Sequence, residues 1–153
     1  MGNLVADAFN STAQSDVVLV GSGSIRVEEL GPAVTLKDLL SCFPYDDSLT
    51  RYKIPGHQLK DVFSHIMRIE NRDGEGECYQ VNSGVCAVYD AKDKELKSLK
   101  VGGEEVKEDE FYTICLQGYH FNNSKDYLNI NNEELLEVEM PNVVTTSARE
   151  VLE

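Results

Sequence analysis

The chain has few basic residues, no long apolar run and no closely spaced pair of cysteines. Its 14 Lys and Arg residues stand against 27 Asp and Glu residues, so the formal net charge is −13. Nonspecific affinity for nucleic acid comes from neutralising phosphates with basic side chains, which excludes a nucleic-acid polymer as the expected partner. The same charge argues against an anionic membrane surface. No stretch approaches the roughly 20 apolar residues that span a bilayer, and the N-terminus lacks the layout of a signal peptide.

The four cysteines are widely spaced, and none belongs to a C-x-x-C pair. Cys42, Cys78, Cys86 and Cys115 lie mostly in apolar or strand-like runs. This pattern favours buried free thiols over disulfides. The three histidines lack ligand spacing to any cysteine, so zinc binding is disfavoured too.

The common catalytic motifs are also absent. The sequence has no Gly-x-Ser-x-Gly elbow, no His-x-x-x-His pair and no GxxxxGK phosphate loop. Asp46-Asp47 and Glu104-Glu105 are adjacent carboxylates, but side chains that are neighbours in sequence normally point apart. We interpret both pairs as solvated turn acids. His65 is interpreted as a packing or surface residue rather than a base.

The N-terminal half has a mixed helix and strand pattern. A short helix is predicted over residues 3–9 and a buried β-branched strand over residues 16–20. Thr35 with Asp38 resembles a capping box that opens a helix ending at Pro44. A further helix follows the Pro-Gly break at 55–56. Its predicted core stripe is Leu59, Val62, Phe63, Ile66 and Met67.

The C-terminal half is predicted to be rich in strands. A strand over 78–90 is interrupted at Ser83-Gly84, where we expect a bulge or a close backbone approach. Gly102-Gly103 predicts a tight primed hairpin turn. The run 111–117 predicts a strand with one buried face, 135–140 predicts another strand, and 147–152 a last helical turn.

Helices and strands do not alternate strictly in this pattern. At 153 residues the chain is long enough for one domain with a buried core. We therefore predict a single α+β domain, residues 1–153, with mixed β-sheets and a few packed helices.

Arg26 follows a glycine and serine turn, GSGSIR, directly after the first predicted strand. Two interpretations are open. The arginine can be a solvated turn residue, or the turn can let the backbone approach a ligand that the guanidinium grips. Glycine at position 23 removes a side chain from that approach, and a guanidinium is a rigid fork of donors suited to phosphate oxygens.

Six segments, taken together and in order, resemble the C-terminal domain of the 5′-nucleotidases, a family that includes ecto-5′-nucleotidase and bacterial UDP-sugar hydrolases. The resemblance covers nearly the whole chain. The segments are MGNLVADAF, GSGSIR, VTLKDLLSCFPYDDSL, IPGHQLKDVF, YQVNSGVCAVYD and FYTICLQGYHFNNSKDY.

The resemblance implies a ligand site. Two aromatic rings of the family clamp the nucleobase, and those positions hold Tyr45 and Tyr119 here. Arg26 falls on an arginine that contacts the phosphate side of the substrate, and Gly23 lies within the same motif. Stacking of a base on an aromatic face is worth roughly 1–3 kcal/mol and tolerates different bases. The alternative is that both tyrosines are ordinary residues at the edge of the core.

Three departures from the family pattern fall on polar positions. Gly21 stands where the family has an asparagine that reads the base, and Gly118 replaces the asparagine before the second ring. Lys125 stands where the family has the acidic residue that binds the ribose hydroxyls. We therefore do not expect adenosine nucleotides to be the specific substrate, and Lys125 indicates a more anionic ligand.

The family resemblance also implies how catalysis is divided. Family members cleave phosphate esters with divalent metal ions held by an N-terminal metallophosphoesterase domain, and none of that domain's motifs occurs here. We expect this chain alone to be inactive, to need no cofactor of its own, and to recognise nucleotides for that partner domain. It begins within a family motif, so we expect it to be part of a longer protein, exported or displayed at the cell surface. The alternatives are a binding module for another phosphorylated small molecule, or a structural scaffold.

Overall fold

The computed structural model describes residues 1–72 and 76–153. The strands are β1 Val17–Gly21, β2 Leu49–Pro55, β3 Tyr79–Val81, β4 Val85–Asp90, β5 Glu95–Val101, β6 Glu104–Glu105, β7 Phe111–Gln117 and β8 Asn142–Thr145. The α-helices are α1 Gly2–Ala13, α2 Leu36–Cys42, α3 Gly56–Ile66, α4 Ile69–Arg72, α5 Gly118–Asn122, α6 Ser124–Leu128 and α7 Asn132–Glu137. Short 3₁₀ turns cover Ser22–Ser24 and Ala148–Val151.

The strands form two sheets. The larger has the order β3-β1-β7-β2-β8, and the smaller has the order β4-β5-β6. Only β1 and β7 run parallel within the described sheets; every other pair is antiparallel. Mixed sheets with packed helices confirm the predicted α+β class.

Strand β7 lies at the centre of the larger sheet and is buried on both faces. Ile114 and Leu116 belong to one apolar cluster, whereas Cys115 belongs to the other. Helix α3 covers the first face and α1 covers the second, so the side chains from Ile114 to Gln117 are all buried. The prediction of one buried face was therefore wrong for this strand. Alternating polar and apolar residues are typical of a strand with one face in water, whereas β7 is covered on both faces.

The two main helices match the predicted patterns. On α3 the stripe residues Leu59, Val62, Phe63 and Ile66 are buried, and Met67 packs beside them. On α1, Phe9 is fully buried and meets Phe43 edge to face at 5.6 Å between ring centroids. Residue Gln14 ends α1 in the left-handed conformation, with φ 48°.

The predicted cap of α2 is present. The Asp38 backbone N–H donates to Thr35 Oγ1 at 3.3 Å, and the Thr35 N–H donates to Asp38 Oδ2 at 2.9 Å. The reciprocal pair satisfies two donors that the helix itself leaves unpaired. The hairpin prediction is also confirmed, since Gly102 and Gly103 have φ of 60° and 87°.

One other prediction was wrong. Residues 135–140 do not form a strand: Asn132–Glu137 is helix α7, which Asn131 opens with a capping box to Glu134. That local cap outweighs the weak strand pattern of so short an apolar run. The predicted interruption at Ser83-Gly84 is confirmed: instead of a bulge, it separates β3 in the larger sheet from β4 in the smaller, and the Gly84 carbonyl accepts from the Gly102 N–H at 2.9 Å.

The cysteine prediction is confirmed in its chemistry and only partly in its burial. All four are free thiols. Cys42 and Cys115 are buried, Cys78 is half-buried and Cys86 is exposed. Burial raises the pKa of Cys115 to about 12, so this thiol stays protonated. Among the described residues, no helix has the length and apolar character needed to cross a membrane.

Gly56 marks a contact between backbones that leaves no room for a side chain. Its N–H donates to the Glu110 carbonyl at 2.8 Å, and a Cβ placed here would lie 2.0 Å from the Lys107 carbonyl oxygen. We expect Gly56→Ala to lower the free energy of unfolding by about 1–3 kcal/mol, because the clash is with backbone that must move. Urea denaturation measures the change.

Gly31→Ala is the matched control, since a Cβ there meets no atom within 4 Å. It should leave the urea midpoint unchanged or raise it slightly. Equal midpoints for the two variants would contradict the close approach at Gly56.

Candidate functional site

A cavity of about 480 Å³ opens at one end of the larger sheet. Because β1 and β7 are parallel, their carboxyl ends meet at this edge, and the antiparallel β2 and β3 begin there. The loops joined to these strand ends therefore converge. The cavity wall includes Gly23, Arg26, Tyr45, Glu77, Tyr119 and His120.

Tyr45 and Tyr119 are large aromatic side chains left open to solvent at this cavity. They are 55% and 52% exposed. Tyr45 lies in the loop before β2, and Tyr119 lies in α5, directly after β7. The Tyr119 hydroxyl lies 3.2 Å from that of Tyr127. Both rings therefore keep about half of their surface in contact with water.

Arg26 lies against Tyr45. Its backbone N–H donates to the Cys42 carbonyl at 2.8 Å, which fixes the start of the side chain. The guanidinium donates to the Tyr45 hydroxyl at 3.1 Å and lies 5.1 Å from the ring centroid, a cation–π contact. Among the described residues it forms no ion pair.

Asp46 and Asp47 lie in a loop, as interpreted, with Asp46 exposed and Asp47 half-buried, and their hydrogen bonds also hold the site together. Asp47 accepts from the N–H groups of Ser48, at 2.7 Å, and Tyr119, at 2.6 Å, which ties α5 to the loop. Asp46 accepts from Ser147 Oγ at 2.9 Å and pairs with Arg149 at 3.4 Å. Slight burial raises the pKa of Asp46, but the bonds from Ser147 and Arg149 outweigh it and leave the pKa below its usual value.

Glu77 lies in the cavity wall just before β3, and sequence reasoning missed it. Its Oε1 accepts from the Gly23 N–H at 2.7 Å and from Ser22 Oγ at 3.4 Å. The glycine at position 23 suits this approach, since a Cβ there would lie 3.2 Å from Oε1. Glu77 is one of several acids in a polar loop, so nothing in the sequence distinguished it.

His120 is the second residue that the sequence did not reveal. It is only 2% exposed, and its Nδ1 is buried without a hydrogen-bond partner among the described residues. The ring lies edge-on to Tyr79 and Tyr119, with centroids 5.1 and 5.5 Å away. Burial lowers the pKa of His120, and the charges of Glu77 and Asp47 only partly oppose it.

Polar side chains lie close to the two glycines that stand where the family pattern has asparagine. A Cβ at Gly21 would lie 2.6 Å from both Glu77 Oε1 and His120 Nε2. A Cβ at Gly118 would lie 2.6 Å from Asp47 Oδ1. Neighbouring polar side chains therefore occupy the space that larger residues would need.

The structure brings together four of the five predicted site residues: Gly23, Arg26, Tyr45 and Tyr119. Lys125 is exposed on α6 and does not line the cavity; its charge acts on His65. His65 Nε2 lies 3.1 Å from the Asp126 carbonyl oxygen and 2.9 Å from the Arg68 guanidinium, a packing role. The ligand roles of all five residues stay predictions. Within residues 1–72 and 76–153, no three His, Cys, Asp or Glu side chains are grouped to hold a metal ion.

The depressed pKa of His120 makes stability depend on pH. In the unfolded chain His120 binds a proton near pH 6.5, whereas in the folded chain it resists protonation. Its contribution to the free energy of unfolding is therefore complete above pH 6.5 and is lost as the pH falls through the folded pKa. We expect the free energy of unfolding to fall between pH 7.5 and 5.5, and to fall less in His120→Gln. Urea denaturation across this range measures the slope of the unfolding free energy against pH for both proteins. His65→Gln is measured beside them, because the pKa of His65 is lowered as well and this residue adds its own part to the slope. Identical slopes for wild type and His120→Gln would contradict the assignment.

Comparison with known proteins identifies the family. The family model described as "5′-nucleotidase, C-terminal domain" matches residues 1–131. The chain is 31% identical over 121 residues to Protein 5NUC of Lutzomyia longipalpis, covering 66% of this chain and 21% of that protein. It is 26% identical over 121 residues to endonuclease YhcR of Bacillus subtilis, covering 78% of this chain and 9% of that protein.

A solved structure shows the same fold. The NAD nucleotidase of Haemophilus influenzae superimposes with a TM-score of 0.76 at 18% identity, over 99% of this chain and 28% of that one. The chain thus spans about a fifth or less of the two sequence relatives and under a third of this structure. By the match over residues 1–131, the chain belongs to the family of 5′-nucleotidase C-terminal domains.

Proposed function

We propose that this chain is the substrate-recognition domain of a 5′-nucleotidase-like phosphoesterase and that its cavity binds a nucleotide. The observation that carries the proposal is the placement of Tyr45, Tyr119 and Arg26 in one cavity wall, with both rings more than half exposed. Two exposed aromatic rings and one guanidinium match the two halves of a nucleotide, an aromatic base and an anionic phosphate.

The tyrosines supply the affinity for the base. Stacking a base on an aromatic ring contributes roughly 1–3 kcal/mol for each base, and it does not depend on which base is present. The Tyr119 N–H donates to Asp47 at 2.6 Å, so the backbone that carries this ring is fixed before any ligand arrives. A fixed ring loses less conformational entropy on binding than a mobile one.

Arg26 supplies the contact to phosphate. Its guanidinium forms no ion pair with a described residue, and its present partners are the hydroxyl and face of Tyr45. A phosphate oxygen is a stronger acceptor than a phenol, so a ligand can recruit the guanidinium without breaking a salt bridge. Asp46, Asp47 and Glu77 also line the cavity. This excess of acids over one arginine favours a ligand with one phosphate over one with several.

Catalysis belongs to another domain in this proposal. The described residues offer no cluster of metal ligands, and the chain covers only 21% of Protein 5NUC. An N-terminal metallophosphoesterase domain of the same protein would hold the divalent metal ions and cleave the phosphate ester. The present domain would hold the base and orient the phosphate toward it, which is catalysis by positioning.

Nucleotide binding is testable by an NMR amide-shift titration of this chain with GMP, UMP, AMP and ribose 5-phosphate. We expect shifts clustered at Tyr45, Tyr119 and Arg26 for the nucleotides. Tyr45→Ala or Tyr119→Ala should weaken nucleotide binding about tenfold, because each removes a stacking surface. Binding of ribose 5-phosphate should change little.

Phe111→Ala is the matched control, because Phe111 is an equally exposed aromatic residue, at 54%, outside the cavity wall. It should bind every ligand as wild type does. Absence of shifts with all four ligands at saturating concentration would leave the scaffold alternative. Preference for ribose 5-phosphate over every nucleotide would select a binding module for another phosphorylated molecule.

The role of Arg26 is testable by comparing guanosine with GMP. In the wild type the phosphate should improve affinity about tenfold or more, the worth of a hydrogen bond to a charged group. In Arg26→Gln that gain should vanish while guanosine binds as before. Lys92→Gln removes an exposed charge outside the cavity wall and is the control. An undiminished gain from phosphate in Arg26→Gln would show that the guanidinium does not contact phosphate.

A further inference from the structure

Glu77 presents a carboxylate to the same cavity as the two tyrosines. Its position is fixed through one oxygen, since Oε1 accepts from the Gly23 N–H at 2.7 Å and from Ser22 Oγ at 3.4 Å. A carboxylate has about four lone-pair sites. Among the described residues no donor reaches Oε2, so this oxygen retains its capacity to accept a bond from a ligand.

His120 is a second polar side chain of the same wall. The residue is only 2% exposed, and its Nδ1 has no hydrogen-bond partner among the described residues. Buried polar atoms are nearly always paired in folded proteins, because an unpaired one costs stability. His120 Nε2 and Glu77 Oε1 both lie 2.6 Å from the position of a Cβ at Gly21. The carboxylate and the imidazole are therefore neighbours at one spot in the wall.

Resting on the nucleotide site proposed above, we infer that Glu77, beside His120, reads the edge of the base and selects bases that carry a ring N–H next to a carbonyl oxygen. Guanine, hypoxanthine and uracil have this lactam edge. Adenine and cytosine present an unprotonated ring nitrogen in its place.

The chemistry of the two side chains gives the direction of this selection. A carboxylate only accepts hydrogen bonds, so it attracts a ring N–H and repels the lone pair of an unprotonated ring nitrogen. A lactam N–H is more acidic than an exocyclic amino group and therefore makes the stronger bond to a charged acceptor. Burial lowers the pKa of His120 and so favours the neutral imidazole. A neutral imidazole has one N–H, and at Nε2, the nitrogen beside Glu77, it can donate to the adjacent carbonyl oxygen.

The arrangement also explains why a side chain is absent at Gly21. Any residue with a Cβ would displace Glu77 Oε1 and His120 Nε2 from this spot. The cavity thus obtains its polar group from the segment before β3 and from α5, rather than from the turn after β1. A carboxylate at this spot differs from an amide, which offers both a donor and an acceptor and so distinguishes the two classes of base less sharply.

The test measures the affinity of this chain for GMP, 1-methyl-GMP, UMP and AMP by NMR titration. Methylation at N1 removes the ring N–H and leaves the stacking surface, the sugar and the phosphate in place. We expect wild type to bind GMP and UMP about tenfold more tightly than AMP and 1-methyl-GMP. In Glu77→Gln the preference for GMP and UMP should fall to within about twofold. Glu104→Gln, which changes an exposed glutamate on β6, is the control and should retain the wild-type preference.

The outcomes separate this inference from the function on which it rests. Equal affinity of wild type for all four nucleotides would overturn the reading of the base by Glu77 and leave nucleotide recognition standing. Failure of every nucleotide to bind would overturn both. The comparison of GMP with 1-methyl-GMP uses the wild-type chain, so it decides the question even if Glu77→Gln disturbs folding.

Discussion

The parallel pairing of β1 with β7 is the constraint on which the rest of the molecule depends. Val17 pairs with Ile114 and Val18 with Cys115, and these side chains are buried on both faces of the sheet. A slip of one residue would move every side chain of such a strand to the opposite face of the sheet. Because the side chains of each face pack against their own apolar cluster, the register is strongly specified. The parallel direction then brings the turn after β1 and helix α5 to the same edge, where the cavity lies.

Elements of the fold could be predicted from the sequence where the signal was local. The capping box at Thr35, the apolar stripe of α3 and the Gly102-Gly103 turn each depend on a few neighbouring residues, and each is present. Helix α7 was missed because its six residues are too few to show a helical period, and the cap at Asn131 decided the conformation. Two-sided burial of β7 could not be read from one strand, since it depends on α1 and α3 packing from opposite sides.

The same distinction holds within the cavity. Arg26, Tyr45 and Tyr119 were predicted because they lie in motifs that resemble a known family, and the fold places them in one wall. Glu77 and His120 carry no such signal: one lies in an acidic loop and the other within a helix of five residues. Their meeting depends on the antiparallel pairing of β3 with β1, which sets Tyr79 opposite Gly21. Tertiary pairing of this kind is invisible to motif and spacing.

A base bound between the rings of Tyr45 and Tyr119 would give intermolecular NOEs on this chain with saturating GMP. We predict NOEs from the base proton H8 to ring protons of both Tyr45 and Tyr119, and no NOE from the ribose to the β4-β5-β6 sheet or to α3. NOEs confined to another surface, or to only the sugar and phosphate with the base free in solution, would contradict it.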